Sequence, residues 1–282
     1  MIHTNEYGIP DAIVAAVKAD PYDRGDADFS ATGLLKPQQI IRLWNEHADK
    51  ISVDVRDEVW RLLGQGVHSV LDRAGEEHGI TEERFFAEIG GKTISGQIDL
   101  QGGKNSKKMT DYKVTSTYSY QLGLKADWEQ QINIYAWLRQ RNGHETDEAE
   151  IVVILRDWMK SRAGQDKYPN SPIQTIPVPL WLPEVTEAFI QSRIDIHTQE
   201  EVAPCTDEDR WARGAWKWKP EKGRSKSFNT LATATIAMQE KGGAITSQEP
   251  TYVRCEGDWC GVAKFCPQWA AQNKSTTDGE IT

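Results

Sequence analysis

The stretch Lys92-Thr93-Ile94-Ser95-Gly96-Gln97-Ile98-Asp99-Leu100, followed by Thr110-Asp111-Tyr112-Lys113 and Gln131-Ile132-Asn133-Ile134-Tyr135, decides how this chain is read. Its first part alternates apolar and polar residues with β-branched types, the pattern of a half-buried strand ending near Asp99. Gln101-Gly102-Gly103-Lys104-Asn105-Ser106 is turn-prone, so 107–115 reads as the partner strand of a hairpin closed by a loop. On that strand Asp111 and Lys113 are two apart and share a face, with Tyr112 on the other. Two carboxylates and an ammonium in one place suit a hard divalent cation such as Mg²⁺ and a water to be oriented or deprotonated. Taken alone, an Asp-x-Lys triplet reads first as a salt bridge at a strand edge.

Outward from this hairpin, Val55, Val59, Leu62, Leu63, Val67, Val70 and Leu71 recur at helical spacing from Asp54 to about His78. That helix carries His68, and a lone helical histidine is more often a packing or surface residue than a ligand. The glycines of Gly64-Gln65-Gly66 just before it would let a backbone or a phosphate approach closely. Residues 82–89 read as a third strand. A long helix is expected from about Tyr120 to Arg141, with Gln131 and Tyr135 one turn apart on one face. Ile151-Val152-Val153-Ile154-Leu155 reads as a strand covered on both faces, and Leu182 to Glu201 as another helix. Strand, strand, strand, helix, strand, helix implies an α/β fold with a mixed sheet. Ahead of it, Pro37 starts a short helix framing the core, and residues 1–28 read as a loosely packed lead-in.

The chain has 282 residues, 38% hydrophobic and 27% charged, enough to bury a core in one large domain with an elaboration. No run approaches the roughly 20 apolar residues of a membrane helix. The N-terminus has neither a basic nor an apolar leader region, which implies a cytoplasmic protein. A net charge of −9 argues against a surface wholly committed to nucleic acid, but not against an acidic metal site with local basic clusters. Such clusters occur at Lys104, Lys107 and Lys108, and from Arg210 to Lys226, where cations alternate with tryptophans. The second could follow a phosphate backbone and stack on unpaired bases, or be a packed cation–π segment.

The ordered set Gly64-x-x-x-His68, Gly96-x-x-Asp99, Asp111-x-Lys113 and Gln131-x-x-x-Tyr135 resembles the RecB-like branch of the PD-(D/E)xK nuclease superfamily, over roughly residues 29–160. The resemblance implies a restriction-endonuclease-like core with a central mixed sheet flanked by helices. It implies His68, Asp99 and Asp111 as ligands of Mg²⁺ or Mn²⁺, with the Tyr112 backbone carbonyl completing the shell. Lys113 would position or activate water, and Asp99, Asp111 and Lys113 would be the catalytic set. Gln131 and Tyr135 would contact the DNA backbone or order the site. The expected function is a metal-dependent deoxyribonuclease, an exonuclease acting on linear ends or single strands in recombination, repair or phage replication, beside a helicase or recombination partner. The alternative is a nuclease-fold DNA-binding subunit without turnover.

Four cysteines, Cys205, Cys255, Cys260 and Cys266, fall in the final third. Their spacing does not match the paired Cys-x2-Cys knuckles of common zinc sites. They resemble the iron–sulfur staple of some RecB-like nucleases, although here the distant cysteine follows the core instead of preceding it. A structural 4Fe-4S cluster, a Zn²⁺ site and free buried thiols are the three readings. The expected organisation is a lead-in over 1–28, a nuclease core over 29–202, a Cys-, Trp- and Lys-rich region over 203–271 packed on the core, and a disordered tail over 272–282.

Overall fold

The computed structural model describes residues 1–19, 25–75, 79–102 and 106–277. The chain forms two compact units. One comprises His3–Lys36 and Asp54–Gln199; the other comprises Met1–Ile2, Pro37–Val53 and Glu200–Thr282.

The first unit is α/β. Helix α1 (Val55–Gly75) leads into strands β1 (Gly79–Ile89), β2 (Lys92–Gly102) and β3 (Lys108–Thr115), then helix α2 (Ala126–Arg141), strand β4 (Glu148–Leu155), strand β5 (Ile173–Pro177) and helix α3 (Pro183–Thr198). The mixed sheet runs Phe29–Ser30, β2, β3, β4, β5, with β1 paired to β2. The Phe29–Ser30 and β3–β4 pairings are parallel, and the others are antiparallel. Ile94, Ile98, Met109, Ile132, Leu138 and Ile151 are almost fully buried and form one core. At β4 buried and half-buried positions alternate, so both faces are covered, as its unbroken apolar run predicts.

The two edges of β2 are used differently. β1 follows one edge from Ile89↔Lys92 to Gly79↔Gly102. The other is split, with β3 holding only Leu100 and Gln101, and Phe29–Ser30 holding Ile94 and Ser95. Between them, at 96–99, the ladder is open, and Asp99 lies there.

Several expectations change. The long helix from Tyr120 is two helices, Thr117–Gln121 and α2, separated at Gly123, whose φ of +79° suits glycine and ends the first. The lead-in is structured: Ile2–Thr4 pairs with Ser52–Asp54, and helix Asp11–Lys18 buries Val17, whose carbonyl accepts from Arg61 Nη2 at 2.9 Å. The helix after Pro37 belongs to the second unit. The tail expected to be disordered from 272 is helical through Thr277; residues 278–282 lie outside the described residues.

The second unit buries Leu43, Ile51 and Val262. Its helix Gln38–Glu46 presents two buried glutamines to the C-terminal segment, Gln38 Oε1 accepting from Ala203 N at 2.7 Å and Gln39 Oε1 from Cys205 N at 2.9 Å. A small sheet of Lys226–Phe228, Trp216–Lys219 and Ala244–Ser247 carries the helix Leu231–Lys241. Among the described residues, no helix is long and apolar enough to cross a membrane.

Candidate metal centre

The opening beside β2 sets the geometry. With no ladder partner at that point, the Tyr112 amide of β3 donates to Asp99 Oδ2 at 2.7 Å, so the carboxylate bridges the two diverging strands. Its other oxygen faces helix α1, where His68 Nδ1 lies 3.5 Å from Asp99 Oδ1 and 3.6 Å from Glu82 Oε1. The two carboxylates, Asp99 first, push the His68 imidazole up to about 10, against the opposing effect of burial. Ligand atoms of His68, Glu82 and Asp99 all lie within 4.8 Å of one another. An imidazole nitrogen and two carboxylate oxygens at that spacing are a donor set for a divalent ion such as Mn²⁺ or Mg²⁺.

Asp111 and Lys113 share the face of β3 that carries the core residue Met109. Lys113 Nζ lies 2.8 Å from Asp111 Oδ2. The aspartate is 2% exposed, and Oδ2 is a buried oxygen outside the angles of a hydrogen bond: an ion pair, but with acceptor capacity left unused. Burial raises the Asp111 carboxyl above its ordinary value even though Lys113 pulls it down; Asp99 raises it further and His68 acts in the opposite sense. At Lys113 burial acts downward, but Asp111 and Asp99 outweigh it and hold the amine charged. The charges of all four residues are thus interdependent. The buried, under-satisfied Asp111 oxygen fits the resemblance's demand for a third ligand, although in this structure Asp111 stands with Lys113 and the tight trio contains Glu82 in its place.

Gln131 and Tyr135 are buried and bonded to each other, Gln131 Nε2 donating to the Tyr135 hydroxyl at 2.8 Å. Their mutual bond suits a site-ordering role. The Tyr135 ring lies against Gly96, where a Cβ would come within 2.7 Å of both Tyr135 Cε1 and Leu138 Cδ1. The glycine of Gly-x-x-Asp is therefore required by packing of α2 on β2. At Gly64 and Gly66 a Cβ would meet nothing within 4 Å, so close packing does not account for those two.

Glu82 is the residue sequence reasoning missed. Ile89-Gly90-Gly91-Lys92 is a two-residue hairpin turn with both glycines at positive φ. Counting back from it places Glu82 opposite Asp99. The ladder holds at Thr81↔Leu100 and Glu83↔Ile98 and skips the pair between, where Glu82 has φ +49°.

The basic clusters change character. Lys107 is held by Glu145 at 2.6 Å and Asp147 at 3.3 Å, and Lys108 by Glu150 at 2.9 Å; Lys104 lies outside the described residues. Within Arg210 to Lys226, Arg210 is buried 3.3 Å above the Tyr252 ring. Trp218 is buried too, its Nε1 donating to Gly242 O at 2.9 Å. Those two are packing residues, whereas Trp211, Lys217, Lys219 and Lys226 are exposed.

In the second unit Cys205, Cys255, Cys260 and Cys266 line a single cavity of about 20 Å³ and form no disulfide. Gln39 Nε2 and the Trp269 amide donate to Cys266 Sγ at 3.3 and 3.5 Å. Burial pushes the Cys205 thiol up to about 12 and raises that of Cys260. The cysteines do not form a trio within 4.8 Å. A single tetrahedral zinc would draw its sulfurs closer than that, to roughly 3.8 Å for bonds of about 2.3 Å.

No family model matches the chain, and no curated protein matches it. Among solved structures, the crystal structure of SSO0001 aligns over 71% of this chain and 89% of that chain, with 18% identity and a TM-score of 0.49.

Proposed function

We propose that this protein is a metal-dependent deoxyribonuclease with a restriction-endonuclease-like core, acting as an exonuclease on DNA ends. The observation that carries the reading is the convergence of His68 and Asp99 on a strand opening shared with the buried Asp111–Lys113 pair. When bound, a divalent cation supplies acidified water and offsets charge gathering on the scissile phosphate. His68, Asp99 and Asp111 would hold it, with the Tyr112 carbonyl on the strand that Asp99 ties down. Lys113, kept charged by Asp111 and Asp99, is suited to orient the attacking water and to steady negative charge on the phosphoryl oxygens. Gln131 and Tyr135 brace helix α2 against β2 and so fix the strand that bears Asp99.

The four cysteines complete the proposal as a structural centre. The four cysteines would hold a 4Fe-4S cluster, as the resemblance implies, with Zn²⁺ as the alternative.

The test is digestion of linear and circular DNA by the purified full chain with Mn²⁺ or Mg²⁺. Loss of linear substrate alone is expected; nicked or linearised circles would make the enzyme an endonuclease. Asp111→Ala and Lys113→Ala should each lower cleavage at least ~100-fold while circular dichroism stays unchanged. Retained activity in both would overturn the assignment, and no digestion by the wild type would leave a DNA-binding subunit.

A further inference from the structure

Glu82 stands where no motif asks for an acid. It interrupts an otherwise continuous antiparallel ladder opposite Asp99, with a backbone φ of +49° that a side-chain-bearing residue adopts at a cost of about 1 kcal/mol or more. The turn-out delivers its carboxylate to His68. Oε1 lies 3.6 Å from His68 Nδ1, while Oε2 accepts from Gln97 Nε2 at 2.5 Å. Gln97 is fixed in turn by Arg84 Nη2, which donates to its Oε1 at 2.6 Å, and Arg84 Nη1 donates to the buried Ser95 Oγ at 3.3 Å. One oxygen of Glu82 is thus clamped through a series of bonds along the hairpin, and the other faces His68 and Asp99. First-sphere carboxylates are commonly supported in this way by outer hydrogen bonds.

We infer that Glu82 is a further protein ligand of the divalent ion, added to His68, Asp99 and Asp111, and that Gln97 and Arg84 position it. The inference rests on the nuclease reading for the ion's role, but not for its geometry.

Titration of the full chain with Mn²⁺ alone, followed by calorimetry, separates the possibilities. Glu82→Gln keeps the size and the acceptor for Gln97 but removes the charge, and should weaken Mn²⁺ binding ~10–100-fold, with the circular dichroism spectrum preserved. If Glu82→Gln fails to fold, Glu82→Asp carries the same expectation, because the shorter arm withdraws the carboxylate from His68 while suiting the left-handed backbone. Equal affinity in wild type and the folded variant overturns the Glu82 assignment, and leaves the nuclease reading intact if the wild type digests DNA. A wild type that binds Mn²⁺ through Glu82 yet digests nothing keeps the ligand and removes the nuclease. A wild type that binds no Mn²⁺ overturns both.

Discussion

The strand opening and the cysteine cavity both gather metal-type donors, but they differ in how the donor charge is balanced. At the opening, the protein supplies its own cations: His68 lies between Asp99 and Glu82, and Lys113 lies against Asp111. At the cavity, burial holds Cys205 as a neutral thiol, and the pull of Arg254 does not overcome it. The first set can persist without an ion and exchange a proton for one. On the proposed reading, thiols of the second give up their protons to a metal, which would tie metal uptake to folding.

The largest expected effect breaks the comparison on the cysteine side. Replacing Cys205 or Cys260 with Ser should remove bound metal and unfold the unit containing Glu200–Thr282, a loss of roughly 10 kcal/mol in thiolate-held structural centres. Metal analysis, visible absorption of anaerobically purified protein and limited proteolysis report it. Bound iron with a brown absorption is expected; colourless protein with zinc would reassign the centre, and metal-free protein with unchanged melting would make the cysteines ordinary core residues.

A smaller effect sharpens the other side. Gly96→Ala should cost ~1–3 kcal/mol, because the added methyl meets the Tyr135 ring and the buried Leu138 side chain. Thermal melting that drops by several degrees assigns this glycine to packing. No drop would mean that α2 does not pack closely on this glycine.

The smallest effect is in pH dependence. The His68 imidazole is raised to about 10 in the folded chain, above an unfolded value of about 6.5. Its contribution to stability is therefore complete below about pH 6.5 and is lost as pH rises toward 10. In metal-free protein the melting temperature should fall by a few degrees across that window, and by less in His68→Gln. Equal slopes would mean that His68 is not held by Asp99 and Glu82.

The legible and illegible parts of the chain separate along physical lines. Alternation and helical period reveal β2, β3, β4 and α1, because each buries one face or both, and the motif order names His68, Asp99, Asp111 and Lys113. Glu82 was open to counting from Gly90-Gly91, but a motif search passes over a residue whose position depends on register. The break at Gly123 was hidden because apolar residues continue at helical spacing on either side of it. The helix after Pro37 could not be assigned to its unit, since amphipathicity reports that a face is buried and not which neighbour buries it. The same limit applies to Arg210 and Trp218, whose burial depends on Tyr252 and Gly242, far along the chain.

The helix Gln38–Glu46 has a consequence in time. Its glutamines bond to Ala203, Cys205 and Cys266, partners 165, 166 and 227 positions later in the chain. During synthesis at ~5–20 residues per second, this helix must wait on the order of ten seconds or longer for them. Throughout that interval the strands between Gly79 and Pro177 emerge and can pair first. The cysteine unit is thus assembled last, around a helix made early, and its maturation falls after translation of strands β1 to β5 is complete.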